Sequence, residues 1–223
     1  MALTKLSTDS IDLSGNTTAL TIPSGTTSLN VDFLVVAGGG SGATFHGGGG
    51  GAGGYRTSYG TVSPITLSGG SMESPVTLSL NVAYTVTVGP GAAGVTYGGA
   101  NVSGNNGSDS TFSGSFTGSP ITSTGGGAGS SYNTQTTPGT GGSGGGGGAN
   151  NQTGAAAVSS PVVQGFAGGD GGQNSEPFPP GGGGGAGSVG ANGTSGGGGN
   201  GGDGLENEIT GATGVFYAGG GGG

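Results

Sequence analysis

Residues 47–54 read Gly-Gly-Gly-Gly-Gly-Ala-Gly-Gly, set between Phe45-His46 and Tyr55-Arg56. Comparable runs occupy 38–42, 125–129, 141–148, 165–172, 181–187, 196–204 and 219–223. Most are five to nine residues long, broken by one Ala, Ser, Asn or Asp. Loops of quite different composition separate most of them. A flexible linker has no reason to be cut into segments of similar length. A bundle of parallel rods does.

Glycine supplies 65 and proline 10 of the 223 residues. Without a strict period, that composition ordinarily reads as low complexity or disorder. Collagen is excluded, because its glycine falls at every third position and here the glycines are contiguous. Only 5% of the residues are charged, fewer than disordered chains usually carry. A helix is excluded as well: each glycine costs about 1 kcal/mol relative to Ala in a helix interior, and no 3.6-residue apolar spacing appears. Polyglycine also lacks the side chains that pack across a pleated sheet.

What remains for ordered polyglycine is the extended left-handed threefold helix, about 3.1 Å per residue, with no internal hydrogen bonds. Each rod must then satisfy its N–H and C=O groups on neighbouring rods. Ordering a residue costs roughly 1–2 kcal/mol, and an inter-rod hydrogen bond returns roughly 0.5–1.5 kcal/mol net. A lone rod should not hold, whereas a packed bundle flanked by a hydrophobic β-domain should.

The formal charge is −8, with Lys5 and Arg56 the only cations. Nucleic acid is excluded as a partner for want of basic residues to meet phosphates, and anionic membrane surfaces are disfavoured for the same reason. No cysteine is present. Residues 1–10 resemble neither a signal peptide nor a lipidation site. No apolar stretch approaches the ~20 residues of a membrane helix.

Residues 1–28 are Ser/Thr-rich, with small alternating pieces at Ile11-Asp12-Leu13 and Leu20-Thr21-Ile22, and read as an extended attachment segment. Residues 29–124 read as a β-rich domain that includes the first two glycine runs. Its strands are expected at 29–37, Thr61-Val62, 65–67, 76–80 and 84–88, the last two alternating with period two. Phe112, Phe116 and Ile121 supply one or two more. Residues 125–223 read as the rod bundle. The expected fold is therefore all-β plus polyglycine II, with essentially no α-helix.

If consecutive runs alternate direction, loops 43–46, 130–140, 173–180 and 205–218 fall at the end far from the β-domain, and loops 149–164 and 188–195 fall near it. The far set holds Phe45, His46, Tyr132, Phe178, Phe216 and Tyr217, while the near set holds no aromatic. These six are the candidate receptor-binding residues. Rigid scaffolds present binding loops, and aromatics dominate contact energy. The competing reading is that they cap the open end of the bundle against water. Phe166, inside a run, is expected to pack near the β-domain.

Four stretches together resemble the glycine-rich tail-fibre and tip-adhesin proteins of tailed bacteriophages. They are residues 1–9; Phe33-Leu34-Val35-Val36-Ala37 with the glycine runs to Tyr55; residues 84–89; and Ser108-Asp109-Ser110-Thr111-Phe112 leading to 124–127. The resemblance implies a sandwich of polyglycine II helices in a virion protein, whose tip loops touch a bacterial surface receptor, an outer-membrane protein or a glycan. It implies further contacts with other tail-fibre or virion subunits through the N-terminal segment. Homotrimers are common among such fibres, whereas tip adhesins can sit alone on a trimeric shaft. Such domains often finish with a short apolar strand, whereas this chain stops at Gly223.

Polyglycine also generates accidental motifs. Residues 38–43 fit G-x-G-x-x-A, but no helix-forming sequence follows to hold a pyrophosphate. Residues 141–145 fit G-x-S-x-G, but the elbow needs a helix and a triad histidine, and His46 is the only histidine. Residues 198–206 fit one calcium β-roll nonapeptide, which binds calcium only between stacked repeats. No enzyme, metal or cofactor is expected. Two readings compete with adhesion: a purely structural fibre, filament or coat subunit, and ice binding, which needs a regular Thr or Ala face that the runs lack.

Overall fold

A computed structural model of the chain describes residues 2–6, 27–60, 72–98, 101–132 and 137–223. Most of residues 1–28, expected to be an attachment segment, and the strand candidates at 61–62 and 65–67 lie outside the described residues. The fold is all-β, with small antiparallel sheets and no α-helix among the described residues.

The organising strand is β2 (Ser28–Val36). One of its edges pairs with β1 (Ala2–Leu6), Ala2 opposite Val35 and Leu6 opposite Val31. Its other edge is shared by two short strands in succession. β3 (Tyr55–Thr57) takes 34–36 and β4 (Val76–Ser79) takes 28–31. A second sheet runs β5 (Thr85–Thr87), β6 (Ser110–Ser113), β7 (Ile121–Ser123). A third pairs β8 (Leu205–Glu206) with β9 (Phe216–Tyr217).

Alternation along β2 sends its side chains to two cores. Val31, Phe33 and Val35 pack with Val76, Phe112 and Ile121 between the first two sheets. Leu34 faces the other way, into a cluster with Tyr55, Ala186 and Ile209. Burial on both faces is why 33–37 reads as an unbroken apolar run. The two charged side chains buried here are hydrogen-bonded. Asp32 accepts from Ser58 Oγ at 2.9 Å, and Arg56 donates from Nε to Glu73 at 2.8 Å and from Nη1 to the Thr122 carbonyl at 3.1 Å.

The glycine runs are extended segments bound to one another by main-chain hydrogen bonds whose partners recur every third residue. In the run 47–54, the N–H groups of Gly48, Gly51 and Gly54 donate to the carbonyls of Ser130, Gly127 and Thr124 at 2.7–2.8 Å. Those of Gly49 and Ala52 donate to Gly181 and Gly184. The same run accepts from Ser143 and Gly146, at Ala52 and Gly49, and from Gly221, at Gly50. One rod thus meets several neighbours, a different one from each successive residue. The three-residue recurrence has the period of the threefold helix expected from the composition.

Close approach explains the glycine. A Cβ at Gly48 would lie 2.0 Å from the Gly146 oxygen, and one at Gly129 would lie 1.9 Å from the Gly48 oxygen.

Segments outside the eight runs join the array. Gly38, Ser41 and Thr44 donate to Ser108, Asn105 and Val102, making 102–108 a rod antiparallel to the first run. Gly168 and Gly171 donate to Ala155 and Gln152, and Gly190 and Gly193 to Ala167 and Asp170. Segments 152–158 and 188–194 are therefore rods as well. The first of these three falls in the portion expected to be β-rich, and the other two fall in segments expected to be near loops.

These extra rods reset the chain's direction. Runs 125–131 and 143–149 are parallel, because Gly127 and Ser130 donate to Ser143 and Gly146. Rod 188–194 runs parallel to 165–172, out toward the far end, because Gly190 and Gly193 donate to Ala167 and Asp170, and Ala191 donates to Asn200 so that 197–204 returns toward the sheets. Loop 205–218, expected at the far end, consequently lies at the β-sheet end.

Candidate functional site

Four of the six expected aromatics meet at the end of the bundle away from the sheets. Phe45 and His46 come from the turn between the first two runs, Tyr132 from the end of 125–131, and Phe178 from the loop after 165–172. His46 sits 4.8 Å from Phe45, 5.0 Å from Phe178 and 6.0 Å from Tyr132 between ring centroids. Phe45 and Tyr132 are 5.9 Å apart, and Tyr132 and Phe178 5.4 Å. A fifth ring, Tyr97, stacks on Phe45 at 5.7 Å with 9° between the planes.

Tyr97 was not among the expected residues. It sits in the connection between Gly94 and the rod at 102–108, a stretch whose glycines are too sparse to read as a run. Their spacing of three, at Gly104 and Gly107, is the signal that marks that rod and hence a far-end loop before it.

Phe216 and Tyr217 are not part of this cluster. They form β9 at the opposite end, where Tyr217 packs against Leu34, Tyr55, Ala186 and Ile209. Phe216 is 66% exposed there. Loop 205–218 is anchored by buried Asn207, whose Nδ2 donates to Tyr55 Oη at 2.7 Å and to the Tyr59 carbonyl at 2.8 Å. Asn207 Oδ1 accepts from the Ile209 N–H. Burial pushes the Tyr55 phenol above its ordinary value, the Asn207 hydrogen bond lowering it in part and Tyr217 adding to the rise.

The backbone at the tip is unusual. Phe45, His46 and Phe178 hold φ of 54°, 51° and 53°. A bulky residue in that left-handed region is a steric outlier, and glycine is the default there. In a chain so rich in glycine, three aromatic side chains at the glycine-favouring positions are kept at a conformational cost of order 1–3 kcal/mol each.

Carboxamides fix the rings. Asn101 Nδ2 donates to the Tyr132 carbonyl, and Tyr132 Oη donates to Asn174 Oδ1. The Ala149 N–H donates to the His46 carbonyl, tying the first turn to the end of run 141–148. Phe45, His46 and Tyr97 remain exposed, and Tyr132 and Phe178 are half-buried. Such an arrangement offers ring faces, phenol and amide groups to an external ligand. Among the described residues no three of His, Cys, Asp and Glu come together as metal ligands.

A family model described as a glycine-rich domain matches residues 12–223. No curated protein and no solved structure matches the chain.

Proposed function

The chain belongs to the glycine-rich domain family, and we propose that it is a bacteriophage tail-fibre or tail-tip adhesin that binds a bacterial surface receptor. In this reading its extended segments are polyglycine II helices, and the protein resides in the virion. The observation that carries the proposal is the convergence of Phe45, His46, Tyr97, Tyr132 and Phe178, from separate loops, on one end of a hydrogen-bonded rod array. The strained backbone under three of them supports it, because strain retained against a cheaper glycine points to contact with something outside the chain. Phe216 and Tyr217 drop out of the receptor-binding set, since they stand at the sheet end.

A purely structural fibre or coat subunit is the second reading. It is favoured by Val86 and Val88, 49% and 54% exposed on and beside β5, the edge of its sheet among the described residues, where an open edge invites another chain.

The test is adsorption of labelled protein to a panel of bacterial strains, with Phe178→Ala and Tyr132→Ala beside the wild type. The adhesin reading expects strain-selective binding reduced at least about tenfold by either substitution. Binding to no strain, together with self-assembly through the β5 edge, would favour the structural reading.

A further inference from the structure

The tip differs from an ordinary protein-binding surface in its charge and its anchors. Lys5 and Arg56 are the only cations of the chain. Lys5 lies on β1, and Arg56 is buried in an ion pair with Glu73, both at the sheet end. No lysine or arginine can therefore reach the tip, and the chain has no tryptophan. Arginine and tryptophan are, with tyrosine, the residues that dominate protein–protein hot spots. An anionic ligand would find neither lysine nor arginine there, but Glu176 in the loop that carries Phe178 and a net charge of −8.

What the tip does offer is flat rings and amides. The Phe45 and Tyr97 rings are parallel within 9° and 44% and 54% exposed. The other ring pairs of the cluster are edge-on or tilted, at 38–80°. An aromatic face is the negative side of the ring quadrupole, and it attracts the weakly positive C–H groups that line one face of a pyranose. Asn174 uses its Oδ1 to receive the Tyr132 hydroxyl, so its exposed Nδ2 hydrogens are left for a ligand. A carboxamide both donates and accepts, as a sugar hydroxyl does.

We infer that the tip recognises an uncharged glycan, with Tyr97 and Phe45 as the stacking platform and Asn174, held on the Tyr132 hydroxyl, as a hydroxyl-reading group. This rests on the adhesin reading and narrows its receptor class.

The experiment uses the full chain and a strain that it binds in the adsorption assay. Cells are treated with periodate, which cleaves vicinal diols of surface glycans, or with a broad protease, and binding is measured in 0.05 M and 0.5 M NaCl. Tyr97→Ala, Tyr97→Phe and Asn174→Ala are compared with wild type, after checking that their unfolding midpoints are unchanged. The inference expects binding lost after periodate, retained after protease and unchanged by salt. It also expects a loss of at least about tenfold in Tyr97→Ala and recovery in Tyr97→Phe. Binding that survives periodate and is lost to protease would overturn the glycan inference and leave the adhesin reading standing, with a protein receptor. Binding abolished by 0.5 M NaCl would overturn the uncharged class. Absence of binding to every strain would overturn the adhesin reading itself.

Discussion

At position 171 an added methyl group would stand 1.8 Å from the Gly148 oxygen, and at position 94 it would meet nothing within 4 Å. The two glycines therefore serve different ends. The first lets backbones touch, while the second loses conformational freedom on folding and returns no contact for it. Gly171→Ala is expected to destabilise the protein by about 3 kcal/mol, the upper range of overpacking, or to prevent folding. Gly94→Ala should raise stability by about 0.5 kcal/mol through the unfolded chain. Chemical denaturation of the pair checks both.

Tyr55 is a second residue with a defined consequence. Burial raises its phenol above the ordinary 10.0, so the folded chain holds that proton more tightly than the unfolded chain. The stability it contributes is complete below pH 10 and is lost as pH rises from there through the raised folded value. Unfolding free energy measured from pH 8 to 11.5 should fall above about pH 10, and Tyr55→Phe should flatten that fall. The substitution also takes from Asn207 one of its acceptors, at a cost of about 1 kcal/mol at neutral pH.

At the scale of the element, the rods show what a sequence reveals and what it hides. Strand β2 was legible because apolar residues occupy both faces, and the eight runs were legible because rods surrounded on all sides need glycine at nearly every position. A rod on the outside needs glycine only where its backbone presses inward. In 102–108 that is Gly104 and Gly107, whose added Cβ atoms would lie 2.1 Å from Ser41 and Gly38 oxygens. In 188–194 it is Gly190 and Gly193. The remaining positions carry Asn, Ser, Val, Ala and Thr, and so read as loops. One miscounted rod then placed Phe216 and Tyr217 at the wrong end, and another hid Tyr97.

The outer rod 102–108 also shows side chains standing in for carbonyls. Asp109, Asn106 and Ser103 accept the N–H groups of Gly125, Ala128 and Ser131 at 2.8, 2.8 and 3.4 Å, again three residues apart. Asn106→Ala strands the Ala128 N–H in the interior, at a cost of about 1–3 kcal/mol. Its amide proton should exchange faster than those of Gly127 and Gly129, which keep their carbonyl partners. Equal exchange rates at the three sites would show that the side chain is dispensable.

For the whole molecule, no rod is a unit by itself. Run 47–54 bonds to 124–130, to 143–146, to 181–184 and to Gly221, and the sheet end is locked to the array through Ala186 and Asn207. Removing one rod orphans backbone groups on several others. Urea unfolding is accordingly expected to be a single transition, coincident by far-ultraviolet circular dichroism and by tyrosine fluorescence. The amides of Gly51, Gly127 and Gly184 should exchange only through global opening. Two separated transitions would mean that sheets and rods fold independently.

The lateral direction of those bonds also decides how the molecule carries load. A pull between the tip and the sheet end runs along the rods and at right angles to the bonds between them. Every bond is then sheared at once, and none can be peeled first. Since an inner rod such as 47–54 is gripped from more than two sides, slipping it past its neighbours means breaking all of its bonds together. A pull across the rods would instead open the bonds in sequence. The protein is therefore expected to be mechanically anisotropic, stiff and brittle along its length and far weaker across it.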